Sequence, residues 1–249
     1  MTRPVLVLGT EPRIAVTIAR CLHRRGIPVD VASLCEGAPR LSSRAIRRFH
    51  RLPTYRRTAD EFVNALMELL QAEQFDMLIP CSDTALTAAA HYYERLSSLL
   101  HVCCPPPQVV DRVLDKIATL EVAKRSGVAI PATYQVSDRA ELEVLRDTLC
   151  FPMIAKPRSK MDIAAHTFKV RYFQSFMELS HALVGGGNFD NRPLLQEYCS
   201  GEGVGIGILM HNGDPIAMFQ HRRLKELPST GGVSVIAVAS GETSIWVIM

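Results

Sequence analysis

The chain has 249 residues, 47% of them hydrophobic and 21% charged, a mix that excludes an intrinsically disordered protein and suffices for one α/β domain or two smaller ones. A formal net charge of +3 demands no polyanionic partner and leaves small anionic substrates open. The start, MTRPVLVLGT, has too short an apolar run for a signal-peptide core, and no later run approaches a bilayer span, so the expectation is a cytoplasmic protein with no membrane partner.

The first hundred residues alternate as a parallel sheet requires. Strand Val5–Leu8, an apolar-periodic helix over 14–22, Gly26 and strand Val29–Ala32 form a βαβ unit. Thr58-x-x-Glu61 reads as a capping box opening a helix through 70, followed by strand Met77–Pro80 and a helix over 83–96. A last strand over 101–104 runs into Pro105-Pro106-Pro107, which can continue neither a helix nor a central strand, so a boundary falls there. Beyond it the sequence predicts short helices over 108–113 and 116–126, the second stopped by Gly127, and a helix over 138–149 capped by Asp138-x-x-Glu141. From Phe151 the pattern becomes strand-like at 153–156, 167–173, 194–198, 204–210, 215–220 and 233–239, with one helix over 175–183. His211-Asn212-Gly213-Asp214 is a hairpin turn, because Asn-Gly accepts the positive φ that such turns need. The second half therefore reads as an antiparallel α+β unit.

Several residues could carry chemistry. The turn after the first strand, GTEPRIA, lacks two of the three glycines of a dinucleotide fingerprint, which argues against a nicotinamide-dependent enzyme. Pro80-Cys81-Ser82-Asp83 ends a strand where α/β sheets hold ligands, with Ser82 or Asp83 as a plain helix N-cap the alternative. Arg40, Arg44, Arg47, Arg48, Arg51, Arg56 and Arg57, with His50, form a basic stretch; lacking interleaved aromatics beyond Phe49 and Tyr55, it reads as a solvated face, and no nucleic-acid partner is expected. Seven cysteines show no CxxC pair and no repeated spacing; vicinal Cys103 and Cys104 read as buried free thiols, with a redox or metal site the alternative. Lys156 ends an apolar strand, a rigid mount for a point charge that suits phosphate; a strand-end lysine snorkelling to solvent is the alternative. Lys116 opens a helix, where a cation is slightly unfavourable unless an anion is bound nearby.

The order Asp115-Lys116, Gly127-Val128-Ala129-Ile130-Pro131, Phe151-Pro152-Met153-Ile154-Ala155-Lys156-Pro157, Gln196-Glu197-Tyr198, Gly201-Glu202-Gly203, His221-Arg222-Arg223 and Pro228-x-x-Gly231-Gly232 resembles the ATP-grasp superfamily, in its carbamoyl-phosphate-synthase-like, carboxylate–amine ligase branch. The resemblance covers nearly the whole chain. It implies a pre-ATP-grasp, Rossmann-like doubly wound sheet over 1–106, linker helices and a lid subdomain over 107–190, and the start of an α+β ATP-grasp core over 191–249 that is incomplete and C-terminally truncated. It implies ATP and a small carboxylate as ligands, with Lys116 and Lys156 on the phosphates, Gln196, Glu197 and Tyr198 at the adenine, and Glu202 on the ribose. His221, Arg222 and Arg223 would face the γ-phosphate and the substrate carboxylate as the catalytic set. In such ligases a carboxylate attacks the γ-phosphate to give an acylphosphate, and an amine then displaces phosphate to form an amide; cations and magnesium offset the repulsion between the anions.

Three departures accompany the resemblance. The loop Arg158-Ser159-Lys160-Met161-Asp162-Ile163-Ala164-Ala165 has no glycine, the segment after Gly232 lacks the arginine and glutamate expected there, and the magnesium carboxylates of the family have no counterpart before Met249. No metal ligand is therefore assigned. The implied protein is an ATP-dependent ligase if a further C-terminal segment completes it; the alternative is a non-catalytic scaffold or ligand-binding remnant. Self-association through the incomplete core is a further expectation.

Overall fold

In the computed structural model, which describes residues 2–56, 60–158, 170–185, 193–227, 233–239 and 246–247, β1 (Val5–Leu8) is the middle strand of a parallel sheet. Its neighbours are β2 (Val29–Ala32) and β4 (Met77–Pro80), with β3 (Arg48–His50) and β5 (His101–Val102) at the edges, in the order β3-β2-β1-β4-β5. Parallel pairing needs crossovers, and α1 (Pro12–His23), α2 (Glu61–Glu73) and α3 (Asp83–His91) supply them. All four residues of β1 are buried, the mark of a strand covered on both faces. Leu6 and Leu8 pack with Phe62 and Leu66 of α2 and Ala88 of α3, while Val7 packs with Ala15 and Ala19 of α1. Each such leucine or valine contributes about 1.5–3 kcal/mol by leaving water. This is the parallel sheet that the periodicity predicted, in the doubly wound form that the resemblance implied.

Local differences have local causes. The helix predicted over 83–96 breaks into α3 and α4 (Tyr93–Ser97) at Tyr92, whose φ of −106° and ψ of 21° leave the helical region while its ring joins Leu96 in the core. The helix predicted from a Thr58 capping box begins at Glu61 after Asp60, and Thr58 lies outside the described residues. β3 was not anticipated, because Arg48-Phe49-His50 has no apolar alternation; it forms by pairing beside Asp30, Val31 and Ala32.

After the triple proline, α5 (Pro107–Leu114) uses Pro107 as a helix opener, and α6 (Lys116–Arg125) ends before Gly127, whose φ is +73°. A second sheet follows in the order β6-β9-β7-β8, antiparallel throughout, from β6 (Thr133–Gln135), β7 (Met153–Lys156), β8 (Arg171–Phe173) and β9 (Leu194–Glu197). α7 (Arg139–Val144) and α8 (Phe176–Gly185) accompany it, and Leu142 of α7 and Leu179 and Leu183 of α8 pack with Met153, Ala155, Phe173 and Leu195 of the sheet. The predicted cap of α7 is present: Asp138 Oδ1 accepts from Glu141 N at 2.9 Å, and Glu141 Oε2 accepts from Ser137 N at 2.7 Å.

The chain divides into two compact units, Met1–Glu197 and Tyr198–Met249. The second is a sheet of β10 (Val204–His211), β11 (Asp214–Leu227), β12 (Val233–Ala239) and β13 (Trp246–Val247). Asn212 and Gly213, with φ of 49° and 91°, make the predicted hairpin turn. β11 was expected over 215–220 but runs on through His221, Arg222 and Arg223, because both neighbours, β10 and β12, pair with that stretch. Within this unit Val204, Ile206, Ile208 and Leu209 of β10 are exposed. Among the described residues no helix is long and apolar enough to cross a membrane.

Candidate functional site

The carboxyl ends of β1 and β4 are filled by structure. Gly9 has a φ of +118°, and a Cβ there would sit 2.8 Å from Cys81 Sγ, so this glycine serves strand packing. Ser82 Oγ accepts from Ala85 N at 3.1 Å, which makes it the N-cap of α3. Burial pushes the Cys81 thiol up to about 11, so it stays protonated. The expectation of buried thiols at Cys103 and Cys104 does not hold: Cys103 is exposed and Cys104 half-buried, and among the seven cysteines only Cys81 is buried. Cys103 follows the end of the short edge strand β5, where no element covers it, and Cys104 packs only partly against the first core.

The end of β7 is different. Lys156 Nζ donates to Gln196 Oε1 of β9 at 2.7 Å, and Gln196 Nε2 donates onward to Thr133 Oγ1 of β6 at 3.0 Å. Thr133 Oγ1 in turn donates to the carbonyl of Pro131 at 2.8 Å. This relay crosses three strands in register, since Gln196 lies opposite both Thr133 and Ile154. Gln196 is buried, so its amide is fixed by the need to satisfy both ends. Lys116, at the first turn of α6, reaches the same strand end, donating from Nζ to the carbonyls of Pro157 at 2.9 Å and Arg158 at 3.3 Å. Two lysines far apart in sequence are thus held about the last residues of β7, Lys116 bonded just beyond it and Lys156 turned back to the level of Ile154.

Asp115 organises the other side of this end. Its Oδ1 accepts from Ile117 N and Ala118 N, capping α6, while its Oδ2 accepts from Arg158 at 2.5 Å and 2.9 Å. The hydrogen bond from Arg158 holds the Asp115 carboxyl below its ordinary value, with the two backbone N–H groups adding to the effect against partial burial. Glu197 is clamped at the opposite end: its Oε1 accepts from Ala132 N at 2.9 Å, and its own N donates to Ala132 O at 3.0 Å. A cleft of about 210 Å³ lies between α6 and the sheet, lined by Ile117, Leu120, Ile130, Thr133, Gln135 and Leu194.

The remaining predicted residues belong to the second unit. Tyr198 and Glu202 are exposed, and Glu202 Oε2 accepts from Arg222 Nη1 at 3.4 Å. Strand alternation places His221 and Arg223 on one face of β11 and Arg222 on the other. The His221 ring lies over Gly205 of β10, where a Cβ would meet its Cε1 at 2.3 Å, and is stacked with Phe219 at 5.9 Å between centroids. Arg223 lies similarly over Gly203 and pairs with Glu226 at 3.2 Å. Pro228, Gly231, Gly232 and the loop 159–165 lie outside the described residues. No group of three or more His, Cys, Asp or Glu side chains able to hold a metal ion occurs among the described residues. The sequence reading missed Thr133 and Arg158; their signal was absent because both act only through partners distant in the chain.

No protein-family model matches the chain, and no curated protein does. Solved structures do match. The L-amino acid ligase from Bacillus licheniformis is similar over 97% of this chain and 55% of its own, with a TM-score of 0.70 and 14% identity. Biotin carboxylase from Campylobacter jejuni, in a β-γ-ATP complex, is similar over 89% of this chain and 51% of its own, with a TM-score of 0.66 and 12% identity. The N5-carboxyaminoimidazole synthetase from Staphylococcus aureus, complexed with ADP, is similar over 90% of this chain and 56% of its own, with a TM-score of 0.62 and 13% identity. The fold is therefore the ATP-grasp fold that these enzymes share. The chain spans about half the length of these proteins.

Proposed function

We propose that this chain binds ATP and supplies the phosphate-holding part of an ATP-dependent ligase that joins a small carboxylate to an amine. The observation that supports this most is that Lys116 and Lys156, far apart in sequence, are both held by fixed oxygens about the last residues of β7. Their ammonium groups are positioned by a buried amide and by backbone carbonyls, so little reorganisation is needed when phosphate oxygens arrive. ATP supplies the phosphoryl group that activates the carboxylate.

In this reading Gln196 is a positioning residue for Lys156 rather than an adenine contact, and the Glu197 carboxylate fixes the strand end while the Glu197–Tyr198 backbone meets the base. His221 and Arg223, sharing one face, are the pair for the γ-phosphate and the substrate carboxylate, while Arg222, on the other face and paired with Glu202, is left out of that set. No magnesium ligand is assigned in this reading, and no part of it uses the metal. The alternative is a non-catalytic scaffold that keeps the fold.

Calorimetric titration with ATP, with and without magnesium, tests the reading, with Lys156→Ala as the comparison. Saturable binding that disappears in the variant is the expected result. No binding at millimolar ATP would leave the scaffold alternative standing.

A further inference from the structure

The arginines are not spread evenly. Residues 1–57 hold twelve arginines, no lysine and three acidic residues, whereas the remaining 192 residues hold sixteen basic and twenty-two acidic ones. The first stretch therefore carries a formal +9 and the rest −6, a polarity hidden inside the net +3. A solvated face has no need for one cation type. Arginine's planar fork is the side chain suited to oxyanions held by paired hydrogen bonds.

The fold gathers four of them, Arg40, Arg44, Arg47 and Arg48, at the amino ends of β2 and β3, the edge opposite to the carboxyl ends where open α/β sheets hold their ligands. A concavity of about 550 Å³, within the range of small-molecule sites, is lined there by Arg40, Ser42, Ser43, Arg44 and Arg48. A second of about 320 Å³ lies beside it, lined by His23, Gly26 and again Arg44. The local acids are already committed: Asp30 to Arg47 and His50, and Glu73 to Arg47 and Arg48. Arg40 and Arg44 are exposed and have no ion pair among the described residues. Phe49 is half-buried and Tyr55 buried, which removes the stacking surface a single-stranded nucleic acid would use.

We infer that this arginine-lined concavity is a binding site for a multivalent phosphate anion, separate from the lysine pair at β7. Arg40 and Arg44 supply the unpaired guanidinium groups, and Ser42 and Ser43 offer hydroxyl donors from the same loop. Arg47, tied to Asp30, holds the loop to the sheet so that its neighbours stay in place.

The test is calorimetry with sodium tripolyphosphate on the full chain, on Arg40→Glu/Arg44→Glu and on Lys156→Ala, at two salt concentrations. Binding that weakens about tenfold or more in the double variant, persists in Lys156→Ala and falls with salt is the expected result. Loss only in Lys156→Ala would send the anion to the lysine pair and overturn the inference. A short RNA duplex that binds where tripolyphosphate does not would also overturn it, in favour of a nucleic-acid backbone. Citrate binding as tightly as tripolyphosphate would remove the phosphate selectivity. The milder Arg40→Gln/Arg44→Gln, with thermal melts, separates loss of charge from loss of fold. If ATP binding fails while tripolyphosphate still requires Arg40 and Arg44, the ligase reading falls and this one stands.

Discussion

Lys156 does not bond to the residue opposite it in the ladder, Leu194, but reaches diagonally to Gln196, two residues along β9. The diagonal turns the ammonium back along β7, to the level of Ile154, and lets one buried amide hold Lys156 on one side and Thr133 on the other. Gln196→Leu should therefore leave the sheet folded while Lys156 loses its guide. ATP binding is expected to weaken about tenfold, short of the full loss in Lys156→Ala, since a charge-assisted hydrogen bond is worth about 1.5–3 kcal/mol. Calorimetry on both variants checks it; equal affinity for wild type and Gln196→Leu would remove Gln196 from any positioning role.

Asp30 is fully buried in β2 and accepts from Arg47 at 2.6 Å and 2.9 Å and from His50 at 2.7 Å. Arg47→Ala would strand most of that charge, and a loss of about 2–4 kcal/mol in urea unfolding is expected, because an uncompensated buried charge is costly. Arg48→Ala should cost under about 1 kcal/mol, since Arg48 is more than half exposed and its pair with Glu73 is screened.

The same carboxylate gives an acid dependence. Burial by itself would raise the Asp30 pKa, but hydrogen bonds from His50 and Arg47 outweigh it and hold the group below its ordinary value of 3.8. A carboxyl depressed in the folded state stabilises above its unfolded value, and that stability is lost as pH falls through the folded one. The stability gap between wild type and Asp30→Asn should thus be constant near neutrality and shrink below about pH 4. A gap unchanged down to pH 3 would show that charge is not what Asp30 contributes.

Gly205→Ala tests the glycine row of β10. The added Cβ would lie 2.3 Å from His221 Cε1, and the ring, a side-chain end, can swing away at little cost. Stability should change by under about 1.5 kcal/mol, while the imidazole resonances of His221 shift, because its stack on Phe219 is broken. Gly207→Ala, where the nearest atom is 3.9 Å from a Cβ, should leave those resonances in place.

Asp115→Ala removes an N-cap and the anchor of Arg158 together. The cap alone predicts about 1 kcal/mol of destabilisation. ATP affinity should fall as well, as the backbone carbonyls of Pro157 and Arg158 that hold Lys116 lose their tether. Asp138→Ala, the cap of α7, should show the stability loss without the change in affinity.

The sequence by itself determined the doubly wound sheet, the Asn212-Gly213 hairpin, the Gly127 helix stop and the Asp138 cap. Each rests on a local preference: apolar runs that must be covered, a positive φ, or a side chain that reaches its own backbone a few residues away. It also singled out Lys116 and Lys156, as cations at element ends. What only the tertiary structure decided are the pairings over long separation: Lys156 with Gln196 and Thr133, Arg158 with Asp115, and Arg47 with Asp30. The strand β3 belongs with these, since Arg48-Phe49-His50 is extended only because β2 offers a free edge and Asp30 offers its charge. Such contacts leave no periodic trace in the chain, because their energy appears only when distant segments have already been brought together.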